Sequence, residues 1–450
     1  MATNSCDVVV VGLGPGGEAT ATELAKAGLS VVGVDERLVG GECPYFGCIP
    51  SKMVIRAANL LADGRHIDGR AGSAEVHADW APVHARIRDE ATDDWDDTVA
   101  VKRLEDAGVR FVRGHGRLTG PRTVAVDGET FEATKGVVLN TGTHPAAPPI
   151  EGLADTPFWT NREVLRTDTL PATMGVIGGG PIGAELAQAL ARFGVQVTVI
   201  EAGPHLLGPV EPEAGALVAK VFAREGLQVL EGATISRVSY DAGQFTVAVD
   251  GQELTFEKLL VAAGRTPNLD DLGLDSVGLD PSARSIEVDE RMRAGDGLWA
   301  IGDIVGHGAF THVSMYQSAI AVASILGKDG HPADYRALPH VTFTDPEVGG
   351  VGMTEKQARD AGLTVRVGRT DLSASTRGWI AQADGLIKLV EDADRGVLVG
   401  ATVAGPAGGE ILGMLVTAVH AEVPTATLRT MIYSYPTLHR ALETALADLS

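Results

Sequence analysis

A chain of 450 residues has room for about three domains, and its 44% hydrophobic and 21% charged content is ordinary for a globular protein. A formal net charge of −22 disfavours nucleic acid and anionic membrane surfaces as partners, because both call for a basic face. Only three cysteines exclude a disulfide scaffold and point to the cytoplasm, and no apolar run approaches the roughly 18–20 residues of a membrane span.

Residues 7–11 (Asp-Val-Val-Val-Val) are a β-branched run with no basic stretch before it. They read as a first strand rather than a signal peptide, with Cys6 as a small buried hydrophobe. Gly12-Leu-Gly-Pro-Gly-Gly17 follows, then an alanine-rich helical segment over 18–26 and a second apolar run over 31–34 closed by Asp35. This is the opening of a doubly wound α/β domain. Gly12 permits the tight turn, Gly14 lets the backbone approach a pyrophosphate, and Gly17 lets helix and strand pack closely. Asp35, 23 positions after Gly12, is placed to hold a ribose, with Glu36 as the fallback. The glycine turn therefore predicts a bound dinucleotide on the helix N-terminus.

Further along, Asp93, Asp94, Asp96 and Asp97 surround Trp95 and are expected to be a solvated helix face or loop. A proline-rich stretch at 144–150 marks a boundary. The opening grammar then recurs: an apolar run at 174–177, Gly178, Gly180 and Gly183, a helical segment over 184–193, and a strand over 195–200 closed by Glu201. The two copies lie 166 residues apart, and Glu201 again stands 23 positions after the first glycine. This is an internal duplication of one dinucleotide-binding unit. A carboxylate at Glu201 accepts from the 2′-hydroxyl of NAD and repels the 2′-phosphate of NADP, and no arginine lies between Glu201 and Pro212. NADH is expected over NADPH. A strand over 258–262 leads into Gly264-Arg-Thr-Pro-Asn268, and after Leu338 strands and amphipathic helices follow without a glycine turn.

Cys43-Pro-Tyr-Phe-Gly-Cys48 is a C-x4-C spacing. Zinc pairing favours C-x2-C with a second pair elsewhere, so no metal site is expected. A disulfide needs Cα atoms roughly 4.4–6.8 Å apart, whereas five helical residues rise about 7.5 Å. Pro44 and Gly47 allow a distorted first turn that brings the sulfurs together, and Gly40-Gly41 lets backbone approach a ligand. A helix start is expected to lower the thiol pKa and a strained bond to be more reducible, as a redox-active pair requires.

The segment Gly-Gly-Glu-Cys-Pro-Tyr-Phe-Gly-Cys-Ile-Pro-Ser-Lys over 40–52 resembles the active-site signature of the class I pyridine-nucleotide disulfide oxidoreductases. That family includes dihydrolipoamide dehydrogenase, glutathione reductase and mercuric reductase. The resemblance extends along nearly the whole chain. Thr141-Gly-Thr-His-Pro145 resembles the family's A-T-G-x-x-P crossover, Gly264–Asn268 its G-R-x-P-N segment, Leu298-Trp-Ala-Ile-Gly-Asp303 its second FAD motif, and Phe343-Thr-Asp-Pro-Glu-Val348 the start of its interface domain.

The resemblance implies an α/β fold with two Rossmann-like dinucleotide-binding domains and a C-terminal α+β dimerisation domain. The expected boundaries are 1–148 and 271–336 for FAD, 149–270 for NAD and 337–450 for the interface, in a homodimer. By the same resemblance Asp303 binds the FAD ribityl chain. Lys52 lies near flavin N5 and pairs with Glu185, Cys48 faces the flavin and forms a charge-transfer complex with it, and Cys43 attacks the substrate disulfide. Gly41, Gly116, Thr141, Gly142, Gly264 and Thr311 complete the expected cofactor contacts. Electrons would run from NADH to flavin, to Cys43–Cys48, and then to a small-molecule disulfide or other acceptor.

Two positions depart from the family. Its disulfide-reducing members carry His-Pro-Thr-x-x-Glu near the C-terminus, the His serving as general acid/base for the partner subunit's outer thiol. Here the segment is Tyr435-Pro-Thr-Leu-His-Arg440. A free tyrosine titrates near 10 and a free histidine near 6.5, so Tyr435 is a poor base at neutral pH. If a helix begins at Pro436, His439 lies near one face with Tyr435 and would partly replace the missing base; the preferred reading is a surface or interface histidine. The second departure is Glu42 in place of the usual threonine, a carboxylate beside Cys43 that would raise its pKa and slow its attack if ionised. Mercuric reductases also carry tyrosine near this region, but use a C-terminal cysteine pair. This chain ends Ala-Asp-Leu-Ser450, which makes mercuric reduction a minor reading. A flavin dithiol oxidase using O2 and a diaphorase-like or metal-ion reductase are the alternatives to disulfide reduction, ahead of a non-enzymatic FAD-binding platform.

Overall fold

A computed structural model describes residues 3–450. Two compact units divide the chain: one comprises the residues up to Ser51, His84–Ala146 and Arg265–Asp334, the other Lys52–Val83, Ala147–Gly264 and Tyr335–Ser450.

In the first unit, strand Thr3–Val11 runs parallel between Val31–Asp35 and Glu129–Leu139. Val109–Arg113 and Leu298–Ala300 extend the parallel sheet on either side, and Arg293–Gly295 closes one edge antiparallel. The first strand reads as an unbroken apolar run because both of its faces are covered. Its side chains alternate between two cores: Val9 and Val11 pack with Phe131 and Leu139, while Val8 and Val10 pack with Leu24 and Ile301. Helix Pro15–Lys26 starts with proline, whose missing N–H costs nothing at that position, and returns the chain to the sheet at Val31.

The second unit repeats this construction. Strands Gln228–Leu230, Gln196–Ile200, Thr173–Ile177 and Lys258–Val261 form a parallel sheet in that order. Helix Pro181–Arg192 again begins with proline. An antiparallel three-stranded sheet spans Ile235–Asp241, Gln244–Val249 and Gln252–Phe256. The C-terminal part of this unit is a five-stranded antiparallel sheet in which Glu347–Gly352 and Leu386–Asp392 flank Val397–Gly405. Helix Gly408–His420 packs on it through Ile411, Leu412, Leu415 and Val419.

The acidic run at 93–97 is not merely a solvated face. Asp93, Asp94 and Trp95 take φ of 48°, 54° and 57°, a left-handed turn that follows the π-helix Ile87–Ala91. The turn brings Asp97 inward, where it accepts from Val39 N at 2.7 Å and from Arg113 at 2.5 Å. It also lets the Trp95 indole donate to the Tyr45 carbonyl at 3.1 Å, behind the cysteine-bearing helix. Periodicity did not show this, because Asp97 is satisfied by residues distant in sequence, whereas Asp93, Asp94 and Asp96 stay exposed as expected.

Candidate functional site

Cys43 and Cys48 lie on two helices, Glu42–Phe46 and Cys48–Arg65, separated by Gly47. An added Cβ at Gly47 would sit 3.3 Å from Cys43 Cα, so the glycine permits the close fold that one continuous helix would forbid. Cys43 is half-buried and Cys48 exposed, and no disulfide joins them in this structure. Thr311, the first residue of helix Thr311–Ile325, meets Cys48 Sγ at 3.4 Å. The expected fall in thiol pKa is reversed at Cys43: its hydrogen bond to Cys48, reinforced by burial, holds the proton on it. Helix Glu42–Phe46 is one short turn, too small a dipole to offset that. Cys6 is buried in the first strand as expected, its thiol pushed up to about 11 by burial and by Asp7.

The glycine turns show where a dinucleotide fits. An added Cβ would lie 2.4 Å from the Asn140 carbonyl at Gly12, and 2.0 Å from the Gly12 carbonyl at Gly17. These two glycines are required by the protein itself. Gly14 is different: its φ is −63° and the nearest atom to an added Cβ lies 3.4 Å away. The second turn behaves alike, with 2.5 Å at Gly178, 1.9 Å at Gly183 and open space at Gly180. Gly14 and Gly180 therefore keep clear the ground in front of a helix N-terminus, which suits a pyrophosphate. Gly41 lies against the first turn, where an added Cβ would be 2.9 Å from Gly14 Cα. Asp35 accepts from Leu13 N at 2.7 Å and Arg37 N at 2.8 Å. Burial raises its carboxyl pKa although these amides oppose the shift. Glu201 accepts from Gly179 N at 2.5 Å and Gly203 N at 2.6 Å. Glu36, the fallback, is turned to His115 and Arg37. The residues present fit a dinucleotide pyrophosphate at each of the two turns.

Asp303, in the 3-10 turn Gly302–Val305, accepts from the Thr143 hydroxyl at 2.6 Å. Thr143 belongs to the two-stranded ladder Thr143–Pro145 with Arg265–Pro267. Thr141 donates to the Asn268 carbonyl at 2.7 Å, and the Asn268 amide returns a bond to the Thr141 carbonyl at 2.7 Å. Gly142 and Gly264 take positive φ with open space where a side chain would point. Gly116 instead packs on Val11 and Val34, which explains it without a ligand.

Lys52 lies one turn beyond Cys48 on helix Cys48–Arg65. Its ammonium reaches Glu185 at 2.7 Å, with Glu185 6% exposed. So buried a carboxylate needs its counter-charge. Phe343 completes the pair in a way the sequence did not disclose: its ring lies 4.5 Å from the Lys52 ammonium and its amide donates to Glu185 at 2.8 Å. Asn140 was missed as well. It donates to the Gly12 carbonyl at 3.2 Å and accepts from Ser314 at 3.2 Å. A polar residue directly after the apolar strand Glu129–Leu139 was the available signal.

The C-terminal segment corrects one expectation. No helix begins at Pro436; a 3-10 turn begins at His439 and the helix at Leu442. Thr437 donates to the Ser434 carbonyl and Arg440 to the Tyr433 carbonyl, which holds the intervening residues as a turn. His439 lies tilted against buried Tyr433, with ring centroids 6.1 Å apart, while exposed Tyr435 meets Thr376 at 3.4 Å and lies 5.5 Å from Arg440. The two residues do not share a helical face.

The pyridine nucleotide-disulphide oxidoreductase family matches residues 6–321, and its dimerisation domain matches 338–446. The chain is 34% identical to a dihydrolipoyl dehydrogenase of Thermus scotoductus, covering 97% of this chain and 95% of that one. It is 31% identical to a mercuric reductase of Acidithiobacillus ferrooxidans, covering 97% and 81%. Among solved structures, the copper(II) complex of the HOCl-induced flavoprotein disulfide reductase RclA from Escherichia coli superposes with a TM-score of 0.86 at 25% identity, over 99% of both chains. LpdA from Mycobacterium tuberculosis does so with a TM-score of 0.86 at 26% identity, again over 99% of both. Matched along nearly its whole length, and with both glycine turns and the dithiol in place, the chain belongs to the pyridine nucleotide-disulphide oxidoreductase family of NAD(P)H-dependent flavoproteins.

Proposed function

We propose that this enzyme exchanges electrons between NAD(H) and a small disulfide or dithiol through Cys43 and Cys48, as a cytoplasmic homodimer. The observation that carries the reading is the pair itself: two thiols on adjacent helices, hydrogen-bonded to each other, with Thr311 beside Cys48. FAD, when bound, supplies the two-electron carrier between nicotinamide and dithiol. Residues 1–148 and 271–336 are assigned to it and 149–270 to the nicotinamide nucleotide, with 337–450 as the interface between subunits. Gly14 and Asp35 seat the first dinucleotide, Asp303 its ribityl chain, and Gly180 and Glu201 the second. Glu201 favours NADH over NADPH. Glu185 fixes the Lys52 ammonium, with the Phe343 ring against it. By resemblance to the family, Cys48 is the sulfur assigned to the flavin side and Cys43 the one that meets substrate.

Anaerobic titration with NADH tests this. A long-wavelength thiolate–flavin absorbance band is expected in the wild type and is lost in Cys48→Ser. Its absence in the wild type, or its survival in the variant, overturns the thiol route.

Tyr435 favours a second reading. An exposed tyrosine is a poor base at neutral pH, and acid–base help of this kind is worth about 10²–10⁴-fold. Direct reduction of a quinone or metal ion does not need that help, and a relative in this fold has been solved as a copper(II) complex. Full quinone or metal-ion reductase activity in Cys43→Ser would favour this route, and peroxide formed during dithiol turnover without NAD would favour an oxidase. Unchanged disulfide turnover in Tyr435→Phe would remove Tyr435 from the mechanism.

A further inference from the structure

Thr311 opens helix Thr311–Ile325, and its side chain lies against the dithiol. Its Oγ1 is 3.4 Å from Cys48 Sγ, and the same hydroxyl is bonded to Cys43, where it works against the rise in that thiol's pKa. The two sulfurs are also bonded to each other. Two thiolates so close would repel, so the second proton is held once the first is lost. The pair thus carries one negative charge, on one sulfur or the other. A thiolate has no proton to give, so the Thr311 hydroxyl is the donor to the sulfur that is charged. The side that Thr311 presents is set further along its helix. Ser314 donates to the Asn140 side-chain oxygen at 3.2 Å, Gln317 accepts from Gly302 N at 2.6 Å, and Ser318 meets the Thr20 hydroxyl at 2.8 Å. All three are buried. Residues 311, 314 and 318 share one helical face, so these bonds fix the rotation of the helix and with it the aim of Thr311.

We propose that Thr311 is a catalytic residue of the dithiol, a single hydroxyl shared by Cys43 and Cys48 that donates to whichever sulfur carries the negative charge. This rests on Cys43 and Cys48 being the redox pair. When the retained proton passes from one sulfur to the other along the bond between them, the charge passes the opposite way. The Thr311 oxygen stays in place and only its hydrogen turns, as a hydroxyl rotor allows. A donor that served one sulfur alone would hold the charge there. A shared donor stabilises the charge at both ends, so neither thiolate is left bare while the charge changes place.

The two sulfurs are tested one at a time. In the flavin-loaded protein, Cys48→Ser leaves Cys43 and Cys43→Ser leaves Cys48, and the pH dependence of alkylation by iodoacetamide, followed by peptide mass spectrometry, gives the apparent pKa of the remaining thiol. In each background, Thr311→Val is expected to raise that pKa by about one unit, the loss of one hydrogen bond to a charged acceptor. Alkylation at neutral pH slows by about threefold, once the greater nucleophilicity of a more basic thiolate is allowed for. Thr311→Ser keeps the hydroxyl and leaves both pKa values where they were, whereas a role in packing alone would respond to the lost methyl group. Where Thr311→Val does not fold, Thr311→Ala is measured in its place. A rise at one sulfur alone, no rise at either, or an equal rise in Thr311→Ser overturns the proposal. Alkylation reads each thiol without turnover, so its failure is separate from failure of the redox reading, which the anaerobic titration decides.

Discussion

The two dinucleotide turns share a backbone and differ in what holds it. In each, the acid ending the second strand accepts the amide following the first glycine and the amide two positions beyond itself: Leu13 and Arg37 for Asp35, Gly179 and Gly203 for Glu201. In each, the third glycine lies on the carbonyl of the first. The first turn is further pinned by the Asn140 amide, itself held by Ser314. At the matching place in the second turn, after strand Lys258–Val261, stands Ala262, which offers a carbonyl and a methyl group. Duplication has kept the backbone constraints and let side-chain chemistry diverge. The turn assigned to a resident cofactor carries extra polar ties, and the turn assigned to an exchanging nucleotide carries fewer.

The equivalence of the backbones is broken or upheld most sharply at the third glycines. Adding a Cβ places it 2.0 Å from a backbone oxygen in Gly17→Ala and 1.9 Å in Gly183→Ala. Each is expected to cost at least the roughly 1–3 kcal/mol of ordinary overpacking, read as a lower urea midpoint or lost soluble expression. A mild effect in one turn alone would break the comparison. The second glycines then separate the protein's needs from the ligand's. Gly14→Ala and Gly180→Ala are sterically tolerated by the chain, so the urea midpoint compared among flavin-free proteins should hardly move. Gly14→Ala is expected to lose FAD on gel filtration, whereas Gly180→Ala keeps FAD and raises KM for NADH by about tenfold, or roughly 1.4 kcal/mol. Destabilisation in either case would show that the glycine serves the fold instead. The smallest effect belongs to Glu201→Gln. Removing one charge near a 2′-phosphate is worth roughly 1 kcal/mol, so the NADPH-to-NADH ratio of kcat/KM should rise about fivefold. An unchanged ratio would detach Glu201 from nucleotide choice.

The parts legible in the sequence were those set by short-range backbone geometry. A glycine turn, its strand and its acid lie within 23 positions, and steric need writes each of them into the local pattern. The spacing of Cys43 and Cys48 was legible for the same reason. Phe343 meeting Lys52 and Trp95 meeting Tyr45 were not, because each pair joins distant segments and leaves no periodic trace. The helix on which a base role for His439 was conditioned is absent through a local competition: side-chain bonds to the Tyr433 and Ser434 carbonyls hold a turn there.

The first unit is assembled from three separated stretches of chain, and its strand Leu298–Ala300 pairs with Glu129–Leu139. The parallel sheet of the second unit needs nothing beyond Val261. On a ribosome that releases the chain from its N-terminus, the nucleotide fold encoded first is therefore the last that can close. Its cysteine-bearing helices emerge long before the strand that completes their own sheet, and through that interval both thiols are left to whatever oxidants and chaperones the nascent chain meets.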